Sequence, residues 1–358
     1  MYQIKHNDEK KGIYTRYLAF HSKVKTFLTK PLGIFLVLFF VFGFFVLMFF
    51  MNILYSPNQF FNQETNQYEW VYWRSFQSII QDRSEILRIF YPVVAKILLS
   101  ISIPSVGYAV QITTRNRLSS PSTLGFTPAA ILSYITFLIA FPNRWWMTYI
   151  IGFVFTGVII VINYLLQRQN QHDTKNFKPV LIGFAISASI SAIGIVLSVT
   201  DPKNVNAAVI WTGELVYNNQ WVKIYASGSI VLVAMITLLC LIPSLKIMQK
   251  DFLLAKSLGI RTNVIYWTVA IIAGILVVST IVITTPLILI GLVMPNVVRN
   301  LFRRHTPLFV FLVGSLFTLS LLQFALFLQI HFQFGQNFLM AILSAFVLLF
   351  VMNKNRNV

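Results

Sequence analysis

Leu32-Gly-Ile-Phe-Leu-Val-Leu-Phe-Phe-Val-Phe-Gly-Phe-Phe-Val-Leu-Met-Phe-Phe-Met51 contains no charged residue. As a helix it rises about 30 Å, the thickness of a bilayer core. Hydrocarbon offers the backbone no partners, so a helix is the form such a segment must take. The basic leader before it is too long for a signal-peptide n-region. No small-x-small cleavage site follows in Asn52-Ile53-Leu54-Tyr55. Leu32–Met51 therefore reads as a retained first span.

Outward from it, further spans are predicted at Leu87–Ile112, Thr123–Phe141, Trp146–Leu166, Pro179–Val199, Trp221–Ile242, Val264–Ile283, Leu287–Phe302, Leu308–Leu328 and Asn337–Met352, ten in all. The composition agrees: 57% of the 358 residues are apolar and 11% charged, against about 25% charged in a soluble domain. Loop parity tests the count. Alternate loops and the two tails carry 21 of the 28 basic residues, which by the positive-inside rule predicts both termini in the cytoplasm. The net charge of +18 is then a topology signal and calls for no nucleic acid. The predicted layout is a cytoplasmic leader at 1–31, a membrane domain at 32–352 and a tail at 353–358.

Between the spans, Ile13, Tyr17, Phe20, Val24 and Phe27 recur at helical spacing beside Arg16, Lys23 and Lys25, the pattern of a helix lying on the inner leaflet. The loop from Tyr55 to Ile86 is the longest outer one and is solvated. A second outer segment, Asp201–Gln220, holds a short possible helix from Asn204 to Trp211. Inside, the loop 246–263 has helix-favouring residues at Ala255–Leu258 followed by Gly259 as a stop.

The sequence excludes most chemistry. Cys240 is the single cysteine, the five histidines are scattered, and neither a His-Glu-x-x-His pattern nor a P-loop occurs. Carboxylates are missing from the spans, which argues against an ion-coupled secondary transporter. Lys96 is the exception. It lies about 12 Å of helix inward from Arg88 and must face a cavity, a partner or the interface. Gly183, Ser187 and Ser191, with Ala188 and Ala192, allow close helix approach in the fifth span. Pro104, Pro286 and Pro295 are expected to kink or break helices.

Three blocks carry a family resemblance. Gly107-Tyr-Ala-Val-Gln111, followed by Asn116-Arg-Leu-Ser-Ser-Pro121-Ser-Thr-Leu-Gly125, is similar to a pattern of the iron-chelate and vitamin B12 class of ABC importer permeases (the FecCD/BtuC family). Here Val106, Arg117 and Ser119 replace the usual Ser, Pro and Ala. Ala255-Lys256-Ser257-Leu258-Gly259-Ile260 resembles the family's cytoplasmic coupling loop, although Asp251-Phe-Leu stands where Gly and acidic residues are usual. Pro286-Leu-Ile-Leu-Ile-Gly291-Leu-Val-Met-Pro295-Asn296-Val-Val-Arg299 resembles a third block, with Asn296 in place of His. Trp211-Thr-Gly213-Glu-Leu215 looks like a shortened fourth. The resemblance covers about Leu87 to Leu322, in order.

It implies an all-α type II ABC importer permease fold in the bacterial cytoplasmic membrane. It also implies a homodimer or a heterodimer with a second permease, two ATPase subunits and an extracytoplasmic binding protein. The chain would bind no cofactor and do no covalent chemistry; ATP and Mg would sit on the partner ATPase. Coupling would fall to Asp251, Leu254, Ala255, Lys256, Ser257, Leu258, Gly259 and Ile260. Binding-protein docking would fall to Arg83 and Arg88, with Lys223 as a substitute for a missing second arginine. Lys96, Gly107, Gln111, Asn116, Pro121, Gly125, Ser187, Ser191, Gly291, Pro295, Asn296 and Arg299 would belong to the pathway and its motifs. The substrate expected is a ferric siderophore, with haem and cobalamin as alternatives.

Overall fold

The computed structural model describes residues 30–62, 67–73, 83–142, 144–168, 178–200, 221–284, 289–302, 306–332 and 342. The leader, Asp201–Gln220 with its Trp211 block, Pro286, the bulk of the tenth span and the tail lie outside them. The order is α1 (Pro31–Leu54), β1 (Tyr55–Asn62), β2 (Gln67–Trp73), α2 (Arg83–Thr113), α3 (Phe126–Ala140), α4 (Met147–Arg168), α5 (Lys178–Thr200), α6 (Trp221–Cys240), α7 (Ile242–Lys250), α8 (Phe252–Ser257), α9 (Thr262–Ile283), α10 (Ile290–Leu301) and α11 (Pro307–Phe332).

Six helices among the described residues are long and apolar enough to cross a bilayer. Lipid inverts the soluble rule, because apolar side chains need no shelter from hydrocarbon. α1, the most apolar, leaves Phe35, Phe39 and Phe40 more than half exposed. α2, the least apolar of the six, is the most buried. It packs against α6, α7, α9, α10 and α11, and α9 in turn holds α3, α4 and α6. The α2–α9 pair is the centre of the bundle, with α1 laid on α11 and α5 on α3.

Buried polar groups fasten these helices. Ser102 and Ser279 donate to the carbonyls of Leu98 and Ile275 on their own helices. The Tyr149 hydroxyl meets Ser227 Oγ at 2.6 Å, linking α4 to α6. Asn52 Nδ2 donates to the carbonyl and the Oε1 of Gln323, and Ser320 Oγ donates to the Val41 carbonyl, so α1 is pinned to α11 at two levels.

Several expectations change. The outer loop contains an antiparallel hairpin, β1 on β2, with Gln59 opposite Trp70; its alternation is masked by Gln and Asn, and the all-helical reading holds for the membrane body. Pro104 does not break α2, which runs on through Pro92 as well. Pro295 sits inside α10. The stretch read as the eighth span forms α10, whose rise of about 18 Å falls short of the bilayer core. Leu289 before it is left-handed, at φ 71°, so the chain turns sharply into this half-length helix. The inner loop contains α7 and α8, two helices where one is predicted.

Candidate functional site

α7 and α8 meet at Asp251, which ends the first and caps the second. Its Oδ1 accepts from the amides of Leu253 at 2.8 Å and Leu254 at 3.4 Å, satisfying donors that a helix start leaves open. The far end of α8 closes as a Schellman turn: Gly259 N–H donates to Lys256 O and Ile260 N–H to Ala255 O, each at 3.0 Å. Gly259 takes φ +79°, which a Cβ would strain. A six-residue helix is thus fixed at both ends by its own sequence.

Its faces divide sharply. Ala255 is fully buried. Leu253, Leu254 and Leu258 are exposed at 72%, 46% and 61%, while Lys256, Ser257 and Gly259 are also exposed and Ile260 is half-buried. Leu253 is an addition to the predicted apolar ridge. On the inner side, the Arg115 guanidinium stacks on the Phe252 ring at 3.4 Å from its centroid, with Lys256 Nζ at 5.4 Å. Partial burial lowers the Arg115 pKa and Asp251 opposes the shift; the guanidinium stays a cation.

Arg115 belongs to the turn between α2 and α3, where the first and third motif blocks converge. A Cβ on Gly107 would lie 2.0 Å from the Gly291 carbonyl oxygen, so α2 and α10 touch backbone to backbone. Around this contact Gln111 Nε2 donates to Leu292 O at 3.3 Å, and Asn296 Nδ2 donates to Leu292 O at 2.8 Å and to Arg117 O at 3.0 Å. Arg299 Nη2 donates to Gln111 Oε1 at 2.9 Å and to Asn296 Oδ1, and the guanidinium lies 5.4 Å from the Tyr108 ring centroid. Asn296 thus holds the turn by its amide nitrogen and Arg299 by its amide oxygen.

The turn itself is built from short polar side chains. Asn116 Oδ1 accepts from Leu118 N, Ser120 and Thr123 exchange reciprocal bonds, and Pro121 O accepts from Phe126 N. Gly125 is left-handed, at φ +88°. The small residues of α5 seat it: a Cβ on Gly183 would lie 2.1 Å from Thr123 O, and Ser187 Oγ donates to Ser122 O. Ser191 is half-buried further along. Asn163 Nδ2 donates to Leu124 O at 2.7 Å. This contact escapes sequence reading, although an amide inside an apolar span is a signal for it.

Lys96 lies in the middle of α2, 2% exposed, and its Nζ has no hydrogen-bond partner among the described residues. Snorkelling to the interface is excluded by that burial. Arg83 and Arg88 lie in the first two turns of α2, their side chains outside the described residues. Lys223, expected among the docking cations, is buried, 6% exposed at the start of α6. No group of three or more potential metal ligands occurs among the described residues.

Comparisons with known proteins fit this architecture. The chain is 28% identical over 212 residues to the Fe(3+)-citrate import system permease protein YfmE of Bacillus subtilis (strain 168), covering 58% of this chain and 62% of that protein. A solved structure of a transporter assigned to the metal-chelate type of ABC transporter, in an inward-facing conformation, superposes with a TM-score of 0.67 at 19% identity, over 89% of this chain and 98% of that one. PsaBC from Streptococcus pneumoniae in complex with Fab matches at 0.57 and 17%, over 77% of this chain and 95% of that one. These two likenesses show the fold alone, a bundle of many helices. The model of the FecCD transport family matches residues 35–354, a range that takes in both the α2–α10 junction and the capped helix α8, and the chain belongs to that family.

Proposed function

We propose that this chain is the membrane permease subunit of an ABC importer for an iron(III) chelate, driven by a separate ATPase. The observation that carries the reading is α8, a helix capped at both ends that presents Leu253, Leu254 and Leu258 to solvent. A six-residue helix is too short to span the bilayer, and a free loop needs no apolar ridge. An ATPase subunit is the partner it suits, with Asp251–Ile260 as the coupling segment and both termini on the same, cytoplasmic side. ATP and Mg belong to that subunit, and this chain holds no cofactor.

A second permease, identical or different, completes the pathway, and an extracytoplasmic binding protein docks near Arg83 and Arg88. The relative's name makes ferric citrate the first substrate to test, and ferric siderophores share its chemistry as iron(III) chelates. Lys96 lines the route. A buried lysine whose Nζ has no hydrogen-bond partner among the described residues suits a transient anionic cargo, and none of the spans supplies a carboxylate. Gln111, Asn116, Pro121, Gly125, Asn296 and Arg299 build the junction that holds α10 against α2.

The test is purification of the tagged protein from native membranes in a gentle detergent, with bound subunits identified and counted. Recovery of a P-loop ATPase at one copy per permease is the expected result. A protein that comes out alone, under conditions that keep a known ABC complex intact, overturns the reading.

A further inference from the structure

The capped helix α8 and the half-length helix α10 are joined by a short run of contacts that passes through Arg115. Phe252, the first residue of α8, carries the Arg115 guanidinium on its ring at 3.4 Å. Arg115 has φ 53°, a left-handed conformation that side chains other than glycine adopt at a cost, just beyond the end of α2. Its amide donates to Ile112 O at 3.2 Å, which sets the side chain's departure from the helix end. Two residues on, the Arg117 carbonyl accepts from Asn296 of α10, whose Oδ1 and the Gln111 Oε1 of α2 both accept from Arg299.

Arg115 has no other evident task in the fold. It has no carboxylate within ion-pair distance among the described residues, it is exposed, and a glycine would hold its backbone turn more cheaply. The strain is retained with the stacking on Phe252. Resting on the importer reading above, we propose that Arg115 is the positioning residue that conveys displacement of α8 to α10: the cation rides on the Phe252 ring, the stiff turn 114–125 moves with it, and Asn296 and Arg299 shift α10 against α2. α10 is suited to be the moving part. It is half-length, is entered through a left-handed Leu289, and is buried at Gly291–Asn296, so displacement there alters the interior of the bundle. The test is a measurement of α10 itself.

The complex purified with its own ATPase is placed in nanodiscs, and amide hydrogen exchange is followed with and without ATP plus vanadate. In the unaltered complex, trapping is expected to change exchange in both 252–258 and 290–301. In Arg115→Met the change at 252–258 persists and that at 290–301 is lost, while ATP hydrolysis continues. Phe252→Leu gives the same loss, and the double variant is no worse than either single one, as expected for one shared contact. A nucleotide-dependent change at 290–301 that survives Arg115→Met, or that is missing from the unaltered complex, overturns the relay. Absence of any co-purifying ATPase overturns the importer reading and the relay with it, so the two failures are told apart at the purification step.

Discussion

Gly107 and Gly291 lie where α2 and α10 touch backbone to backbone, and the space between them decides what each position tolerates. A Cβ at Gly107 would meet a carbonyl that cannot rotate away, 2.0 Å distant, so Gly107→Ala must push α10 off α2. We expect it to cost about 1–3 kcal/mol or more, read as a lowered thermal midpoint of the purified protein; an unchanged midpoint would show that α10 shifts freely. Lys96 is the other residue whose setting calls for a partner. Lys96→Met is expected to reduce uptake of limiting ferric citrate, with Lys96→Arg retaining more, and full uptake by the methionine variant would remove Lys96 from the route. The sequence singles out both residues. It does not reveal that Arg299 bonds Gln111, because a separation of 188 residues carries no periodicity.

At the scale of elements, the far end of α8 was legible because its signals are local, helix-favouring Ala255–Leu258 followed by a terminal glycine, whereas the Asp251 cap and the start at Phe252 came from the structure. Asp251→Ala removes the two amide bonds at its start and is expected to cost about 1 kcal/mol of helix stability, seen as faster amide exchange over 252–257. Leu258→Glu leaves the helix intact and places a charge on the exposed ridge. Uptake should be abolished and the ATPase lost from pull-downs while the permease stays in the membrane, and normal uptake would refute the coupling role. α10 was the hard element. Its apolar run reads like a span, and the left-handed Leu289 that shortens it has no residue signature, since glycine is the usual choice there. The β1–β2 hairpin was likewise hidden by its polar residues.

For the whole molecule, the charge asymmetry makes a prediction that packing does not address. Epitopes at the two termini should be reached by antibody only after the membrane is permeabilised; labelling of either in intact cells would invert the orientation and place α8 outside. The order of burial is also a property of the whole. α2 sits at the centre and α1 at the rim, and the lower apolarity of α2 hints at it, whereas α9, more apolar than α2 and nearly as buried, shows that hydropathy does not rank the helices.

Sequence by itself determined that the chain lives in a bilayer, where most of its helices run, and that a short helix lies in the loop 246–263. Each of these follows from the contrast of a contiguous stretch with lipid or water. Only the tertiary structure decided which helices are central, that the two motif blocks form one junction, that α10 stops short, that Lys96 and Lys223 are buried, and that Arg115 lies on Phe252. In lipid, apolar helices gain little by choosing one apolar neighbour over another. The choice rests on close backbone approach and hydrogen bonds between distant residues, which no local pattern records.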